Sequence, residues 1–418
     1  MKKLFAALVA LVLLFAACAL AEDEDICDWH YQPSTPAETS GDWEYRVLEN
    51  GTAEITEYNG NAGTLDIPSE LDGYKVTSIG NHAFHECCSL TSVTIPDSVT
   101  NIGVWAFVSC ESLTSVTIPD SVTSIGYGAF SNCESLVSVI IPASVTSTGE
   151  GTFSCCYSLE TVIIPDGVTI IGADAFEHCE NLTSVTIPDS VTEIGDSAFS
   201  FCGSLTSVTI PGSVTNIGAE AFSYCDSLTS VTINEGVKGL PYGVFYRCDS
   251  LTSVTIPNSV TSIGYCAFSN CGSLESVTIP DSVTDIEFGA FSYCGSLLSV
   301  TIPGSVKSIG VCAFLSCGSL ESVIISDGVT DISKRAFQNC AGLTSVTIPD
   351  SVTNIGEEAF NNCWSLASVT IPASVTGISE GAFSDCSEEI VFTVEEGSYA
   401  EEYCKDTGYI YRYPGAGG

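Results

Sequence analysis

A solenoid of about fourteen stacked coils is the fold class this sequence predicts, and three observations predict it. Phenylalanine recurs every 23 residues, from Phe84, Phe107 and Phe130 through to Phe383, without an insertion or a deletion. A cysteine stands three residues after each, from Cys87 to Cys386, and a leucine six residues after each, from Leu90 to Leu366, with Glu389 in the last repeat. Between these ladders runs an equally regular set of β-branched residues, proline and glycine. A unit of this length cannot bury its own apolar side chains, whereas stacked copies bury them in one continuous core.

The unit Leu113 to Cys133 justifies the elements in order. Leu113, Val116 and Ile118 point inward from a short strand rich in β-branched residues. Pro119-Asp120-Ser121 is a turn, because the proline ring presets φ and the Asp and Ser side chains bond nearby backbone amides. Val122 and Ile125 form a second short apolar segment, and Gly126 allows a bend. Ala129, Phe130, Cys133 and Leu136 then fall at spacings of one and three, as on one or two helical turns. At about 4.8 Å per coil, fourteen coils give an arc of about 65 Å.

This consensus, Leu-Thr-Ser-Val-Thr-Ile-Pro-Asp-Ser-Val-Thr-Ser-Ile-Gly-x-x-Ala-Phe-x-x-Cys, resembles the leucine-rich repeat in its BspA-like form over roughly residues 60 to 395. The resemblance implies a curved, right-handed α/β leucine-rich-repeat solenoid with a parallel sheet on its concave face and short helical or 3-10 turns on the other. It also implies a secreted or surface-displayed bacterial protein that adheres to host-matrix, cell-surface or microbial partners.

The organisation reads as a signal peptide (1–21), an acidic flexible leader (22–42), a β-hairpin cap (43–72), the solenoid (73–388) and a C-terminal cap and tail (389–418). Lys2-Lys3, the apolar run to Ala17 and Ala19-Leu20-Ala21 before an acidic stretch make a cleaved secretory signal. Phe15-Ala16-Ala17-Cys18 also resembles a lipoprotein box, so a lipid anchor at Cys18 is the alternative to cleavage after Ala21. Either product is extracellular, and no apolar run is long enough for a transmembrane segment. Asn50-Gly51 between two alternating runs marks the hairpin. Glu395 to Tyr403 looks like the family's closing helix.

The chain carries 51 acidic against 11 basic side chains, a formal charge of −40. Such a surface repels phosphate backbones, so nucleic acid is excluded as a partner. Equivalent cysteines in adjacent coils, about 4.8 Å apart with parallel Cα–Cβ vectors, are badly placed for disulfides. The ladder thiols are read as free, buried and apolar. His82, His85, Cys87 and Cys88 have metal-ligand residue types, but Cys87 belongs to the ladder, and the cluster is read as decoration of the first coil. No metal or cofactor is expected. Only four histidines exist, at 30, 82, 85 and 178, and no nucleophile elbow, phosphate loop or zinc-protease motif appears, so the chain is not expected to be an enzyme.

A binding role falls to the surface columns. Strand propensity and solubility account for Ser92 and its equivalents, with Thr94 and its equivalents, without a ligand; the functional reading is a hydroxyl floor for a protein segment or a glycan. A sharper candidate lies two residues after the Phe, where Cys155, His178, Phe201, Tyr224 and Arg247 occupy consecutive coils and Tyr293 lies two coils beyond. Tyr246 belongs with them, in a repeat where Asn234, Lys238, Leu240, Pro241 and Tyr242 also depart from consensus. Aromatic residues and arginine are favoured in protein interfaces. The expected partner is a protein or glycan on a host or microbial surface, bound by a monomer. The alternative is a passive spacer or surface antigen without a specific ligand.

Overall fold

Parallel pairing at a 23-residue offset is the rule that builds this molecule, as in Ser207↔Ser230, Val208↔Val231 and Ser230↔Ser253. The computed structural model describes residues 37–415. The signal peptide, Cys18 and most of the acidic leader lie outside the described residues. The described chain is a β-solenoid of about 16 turns. That is two more than the Phe ladder counts, because strands of both caps add rungs. Coils are numbered below by their Phe, from coil 1 at Phe84 to coil 14 at Phe383.

Each coil has three sides. The long-strand side carries Ser-Val-Thr triplets such as Ser115–Thr117 and Ser253–Thr255, whose middle Val faces the core while the flanking hydroxyls face water. Val116 and Ile118 are only partly buried, against the core, in this third coil. Pro-Asp-Ser then turns the chain: Val122 N–H donates to the Pro119 carbonyl, and the Ser121 hydroxyl donates to Val99 one coil earlier, at 2.7 Å. So these serines mostly serve a neighbouring carbonyl, where the sequence suggested a local amide. The short-strand side consists of dipeptides such as Asn101–Ile102 and Ser262–Ile263, with the Ile inward.

The turn side is where sequence and structure differ. The helical turn expected from the spacing of Ala129, Phe130 and Cys133 is a run of β-turns interrupted by left-handed residues. In nearly every coil the positions two before and two after the Phe have φ between about +50° and +70°, as at Gly128 and Asn132 or Cys266 and Asn270. Such residues stop a helix after one turn. Their amides point instead along the stack: Phe107 N–H donates to Ala129, and Ser109 N–H to Ser131. The turn side is therefore stitched to its neighbours by hydrogen bonds as the strands are.

Inside, the fourteen Phe rings stack at 4.6–5.7 Å with planes within 2–19° of parallel. The cysteines do more than fill space. From Cys110 to Cys386 each thiol donates to the carbonyl of the Phe one coil earlier, at 3.1–3.3 Å. All described cysteines are free thiols.

The ends are capped by aromatic residues. β1 (Glu38–Ser40), within the segment read as a flexible leader, pairs antiparallel with β2 (Trp43–Val47). β2 forms a hairpin with β3 (Ala53–Tyr58), whose Tyr58 packs on Phe84 at 5.6 Å with Trp43 edge-on at 6.1 Å. β4 (Thr64–Asp66) begins the long-strand side. At the other end the helix α1 (Tyr399–Thr407) starts four residues later than the sequence suggested, because Ser398 caps it by accepting from Glu401 N–H. Phe392 meets Phe383 edge-on at 5.1 Å, and the Tyr409 hydroxyl donates to the Phe383 carbonyl at 3.0 Å. Tyr409 thus takes the position that the next ladder thiol would occupy, and the last carbonyl is not left bare.

Candidate interaction surface

Four of the sequence-selected residues form one stack. His178, Phe201 and Tyr224 follow one another on coils 5, 6 and 7 with ring centroids 4.3 Å apart at both steps and planes within 11°. The Arg247 guanidinium lies 5.6 Å from the Tyr224 centroid, a cation–π cap. Tyr246 meets Tyr224 edge-on at 5.4 Å, and Tyr157 meets His178 at 6.4 Å. Tyr293 does not join: it is 51% exposed and has no ring partner among the described residues. Cys155, at the head of the column, is half-buried, its sulfur 3.6 Å from the Ser154 hydroxyl.

The backbone under this stack explains its regularity. His178, Phe201, Tyr224 and Arg247 have φ of 57°, 59°, 55° and 59°. That is the left-handed region, costing an ordinary L-residue roughly 1–2 kcal/mol relative to glycine. Elsewhere in the column Asn132, Asn270, Asn339 and Asn362 occupy it, and asparagine is suited to that conformation. Bulky rings here are expensive, and stacking returns only about 0.5–1.5 kcal/mol per pair.

Charge around the stack is acidic. Glu180 approaches His178 at 4.0 Å, but burial against the rings outweighs it and holds the imidazole below its ordinary pKa, so it is neutral at pH 7. Beside it Glu177 is pushed up to about 7, first by burial and then by Asp174 and Glu220. Asp226 is raised by burial and by Asp249, against the pull of Arg247. The surface is an apolar stack with one cation at its end and carboxylates crowded along its flank.

The hydroxyl columns of the long-strand side are exposed over most of their length, with apolar breaks at Ile140, Ile163 and Ile324. In the first coil His82 packs on His85 at 5.8 Å and on Trp105 at 5.1 Å, and no metal-binding group of three ligands exists among the described residues. Among them, too, no helix is long and apolar enough to cross a membrane.

A structure of a leucine-rich repeat protein from Bacteroides ovatus is 27% identical, with a TM-score of 0.72, covering 90% of this chain and 99% of that one. A leucine rich cell surface protein from Faecalibacterium prausnitzii is 33% identical, with a TM-score of 0.52 and coverage of 89% and 97%. The pneumococcal vaccine antigen PcpA, at 18% identity, shares the fold, with a TM-score of 0.50 and coverage of 91% and 98%. No curated protein matches the chain. The model of the BspA type leucine rich repeat region matches residues 77–203, 146–275 and 262–390. With the 23-residue register, the Phe and Cys ladders and this match over most of its length, the chain belongs to the BspA-type leucine-rich repeat family.

Proposed function

We propose that this protein is a secreted or surface-displayed interaction module that binds a protein partner through the ring stack His178–Phe201–Tyr224–Arg247. The observation that carries the reading is the placement of adjacent bulky rings on left-handed backbone, where asparagine, serine or glycine would serve the fold at lower cost. The cell-surface relative from Faecalibacterium prausnitzii, similar along nearly its whole length, supports a surface role. The family resemblance supports adhesion as the purpose, and a binder rather than an enzyme.

The test is a binding panel of matrix proteins, mucins and glycans against the mature chain, a deletion of coils 5–8, and the double substitution Tyr224→Ser with Arg247→Ser. Saturable binding that survives neither change, with unaltered circular dichroism for the double variant, supports the proposal. Binding unaffected by the double substitution removes the stack as the site. A verified folded sample that binds no class of ligand shifts the reading to a passive spacer.

A further inference from the structure

A second row runs along the turn side, three residues before each core Phe, beside the stack already described. On coils 8 to 11 it consists of Tyr242, Tyr265, Phe288 and Val311, exposed by 52%, 53%, 41% and 37%. Tyr265 and Phe288 lie 6.4 Å apart with planes 25° from parallel. Consecutive exposed apolar side chains on four successive coils form a continuous strip, unlike scattered surface apolar residues, which need no explanation.

Toward the N-terminus the same edge changes character. Asp174, Asp196 and Glu220 occupy it, or the next position, on coils 5, 6 and 7, and each is half-buried or exposed. These carboxylates feel one another: Asp196 raises Asp174 and Glu220, in each case secondary to burial. Glu220 interacts in turn with the Tyr242 phenol, so the acidic and apolar halves of the row are contiguous. The row's own cations, Lys334 and Arg335 on coil 12, are engaged by Glu357 and Glu358.

We propose that this edge is a docking strip for one polypeptide segment in which apolar or aromatic side chains adjoin a run of lysine or arginine. The apolar part lies on coils 8–11 and the cations face coils 5–7. The inference rests on the interaction reading above and names the chemistry of the partner. Charge complementarity selects the occupant. A second copy of a chain carrying −40 would bring like charge to the acidic half, and a neutral or anionic glycan would leave that half unmet. Six steps of about 4.8 Å from coil 5 to coil 11 give about 29 Å, the length of a helix of about 20 residues.

The probe is a synthetic peptide of about 20 residues with a Lys-rich half and a Leu/Phe-rich half, made in both block orders. Its controls carry Glu for Lys or Ser for the apolar residues. Fluorescence anisotropy with the full mature chain should show saturable binding of one block order, at least about tenfold tighter than either control. Tyr265→Ser with Phe288→Ser should weaken it about tenfold at low and high salt. Asp196→Asn with Glu220→Gln should weaken it mainly at low salt and flatten the salt dependence. Equal binding of the Ser control, or indifference to both double variants, overturns the proposal in favour of unspecific charge attraction. So does self-association in sedimentation that Tyr265→Ser with Phe288→Ser abolishes, which would assign the strip to a second copy. A protein ligand from the panel that needs Tyr224 and Arg247 but ignores strip variants and peptides would sink this inference alone. Loss of all saturable protein binding would sink both readings.

Discussion

Replacing Phe222 by alanine should split the stack at its middle. Phe222 is fully buried, with Phe199 at 5.3 Å on one face and Phe245 at 5.7 Å on the other. Truncating a buried Phe costs about 3–5 kcal/mol, because the transfer energy of the ring is lost and the cavity closes only partly. Coils 6 and 8 cannot close it fully, since turn-side amides and one strand ladder on each side, Glu193–Ile194 on Asn216–Ile217 and Ser207–Ile210 on Ser230–Ile233, hold them to coil 7, so about 4 kcal/mol, the middle of that range, is expected. In a nearest-neighbour array the loss falls on one interface and weakens the coupling between the halves. Urea unfolding followed by circular dichroism should therefore lose its single transition or shift to a midpoint lower by that energy divided by the slope. Tyr224→Ala, two residues away but on the surface, should cost less, about 1–3 kcal/mol, since it removes only its two ring pairs, with Phe201 and Tyr246. A change below about 1.5 kcal/mol for Phe222→Ala, or equal effects at the two sites, would refute the view that the Phe ladder carries the cohesion between coils.

Other expectations follow from the same geometry. The ladder thiols are held protonated by burial, Cys225 and Cys271 being pushed up to about 12. Alkylation of the native chain at pH 8 should thus modify exposed Cys88 first, half-buried Cys87 and Cys386 later, and the fully buried ladder from Cys110 to Cys363 more than about a thousandfold slower, the ratio that a local opening cost of about 4 kcal/mol sets; peptide mapping by mass spectrometry reads the order. Glu177→Gln should stabilise the chain at pH 8 and do nothing near pH 4. The native carboxyl binds its proton up to about pH 7, the unfolded one only to about 4.5, so wild-type stability falls as pH rises through that window. Discounted because the side chain is only half-buried, the gain is about 1–2 kcal/mol, read as a melting shift that appears between those pH values. Tyr293→Asn should stabilise by about 1 kcal/mol, because Tyr293 has φ of 61° and no stacking partner, whereas Phe201→Asn should not, because it gives up two ring contacts; paired chemical denaturation curves compare them.

The period, the ladders and the strand-turn-strand order were legible because they depend on which residues are apolar and how far apart they stand. The spacing of Ala129, Phe130 and Cys133 could not separate a helical turn from a turn with left-handed residues, since both place the same side chains inward. Asn132, Asn270, Asn339 and Asn362, recurring at one column, were the available sign of positive φ. The column of His178, Phe201 and Tyr224 could be found because departures from a strict consensus stand out there. Tyr265, Phe288 and Val311 escaped notice because their column has no consensus to depart from, and only exposure on a known backbone joins them to Tyr242. The thiol bond to the preceding Phe carbonyl depends on an acceptor 26 residues away whose direction no pattern encodes.

The two sheets are not equally continuous, and where they are interrupted bears on the site. From coil 8 onward the short strands form an unbroken seven-stranded sheet, and the long strands from Ser207 to the terminal Ile410–Arg412 form a ten-stranded one. Before that the ladders break. Ser184 is joined to Thr161 only by an isolated bridge, and the short strands at Ile170–Ile171, Glu193–Ile194 and Asn216–Ile217 form a separate three-stranded piece. Substitutions account for part of this: buried Thr148 stands where Ile fills the core in other coils and bonds the Gly172 amide, and Pro241, which has no N–H, stands where Gly218 and Gly264 donate to the preceding short strand. The interrupted region, between about Ser147 and Gly239, is the one that carries the ring stack and the crowded carboxylates. Strained backbone, like-charge crowding and broken ladders each lower local stability, and they coincide in the coils least uniform in sequence. Uniform coils on either side hold the weak ones in register, so this stretch can carry groups chosen for contact with a partner.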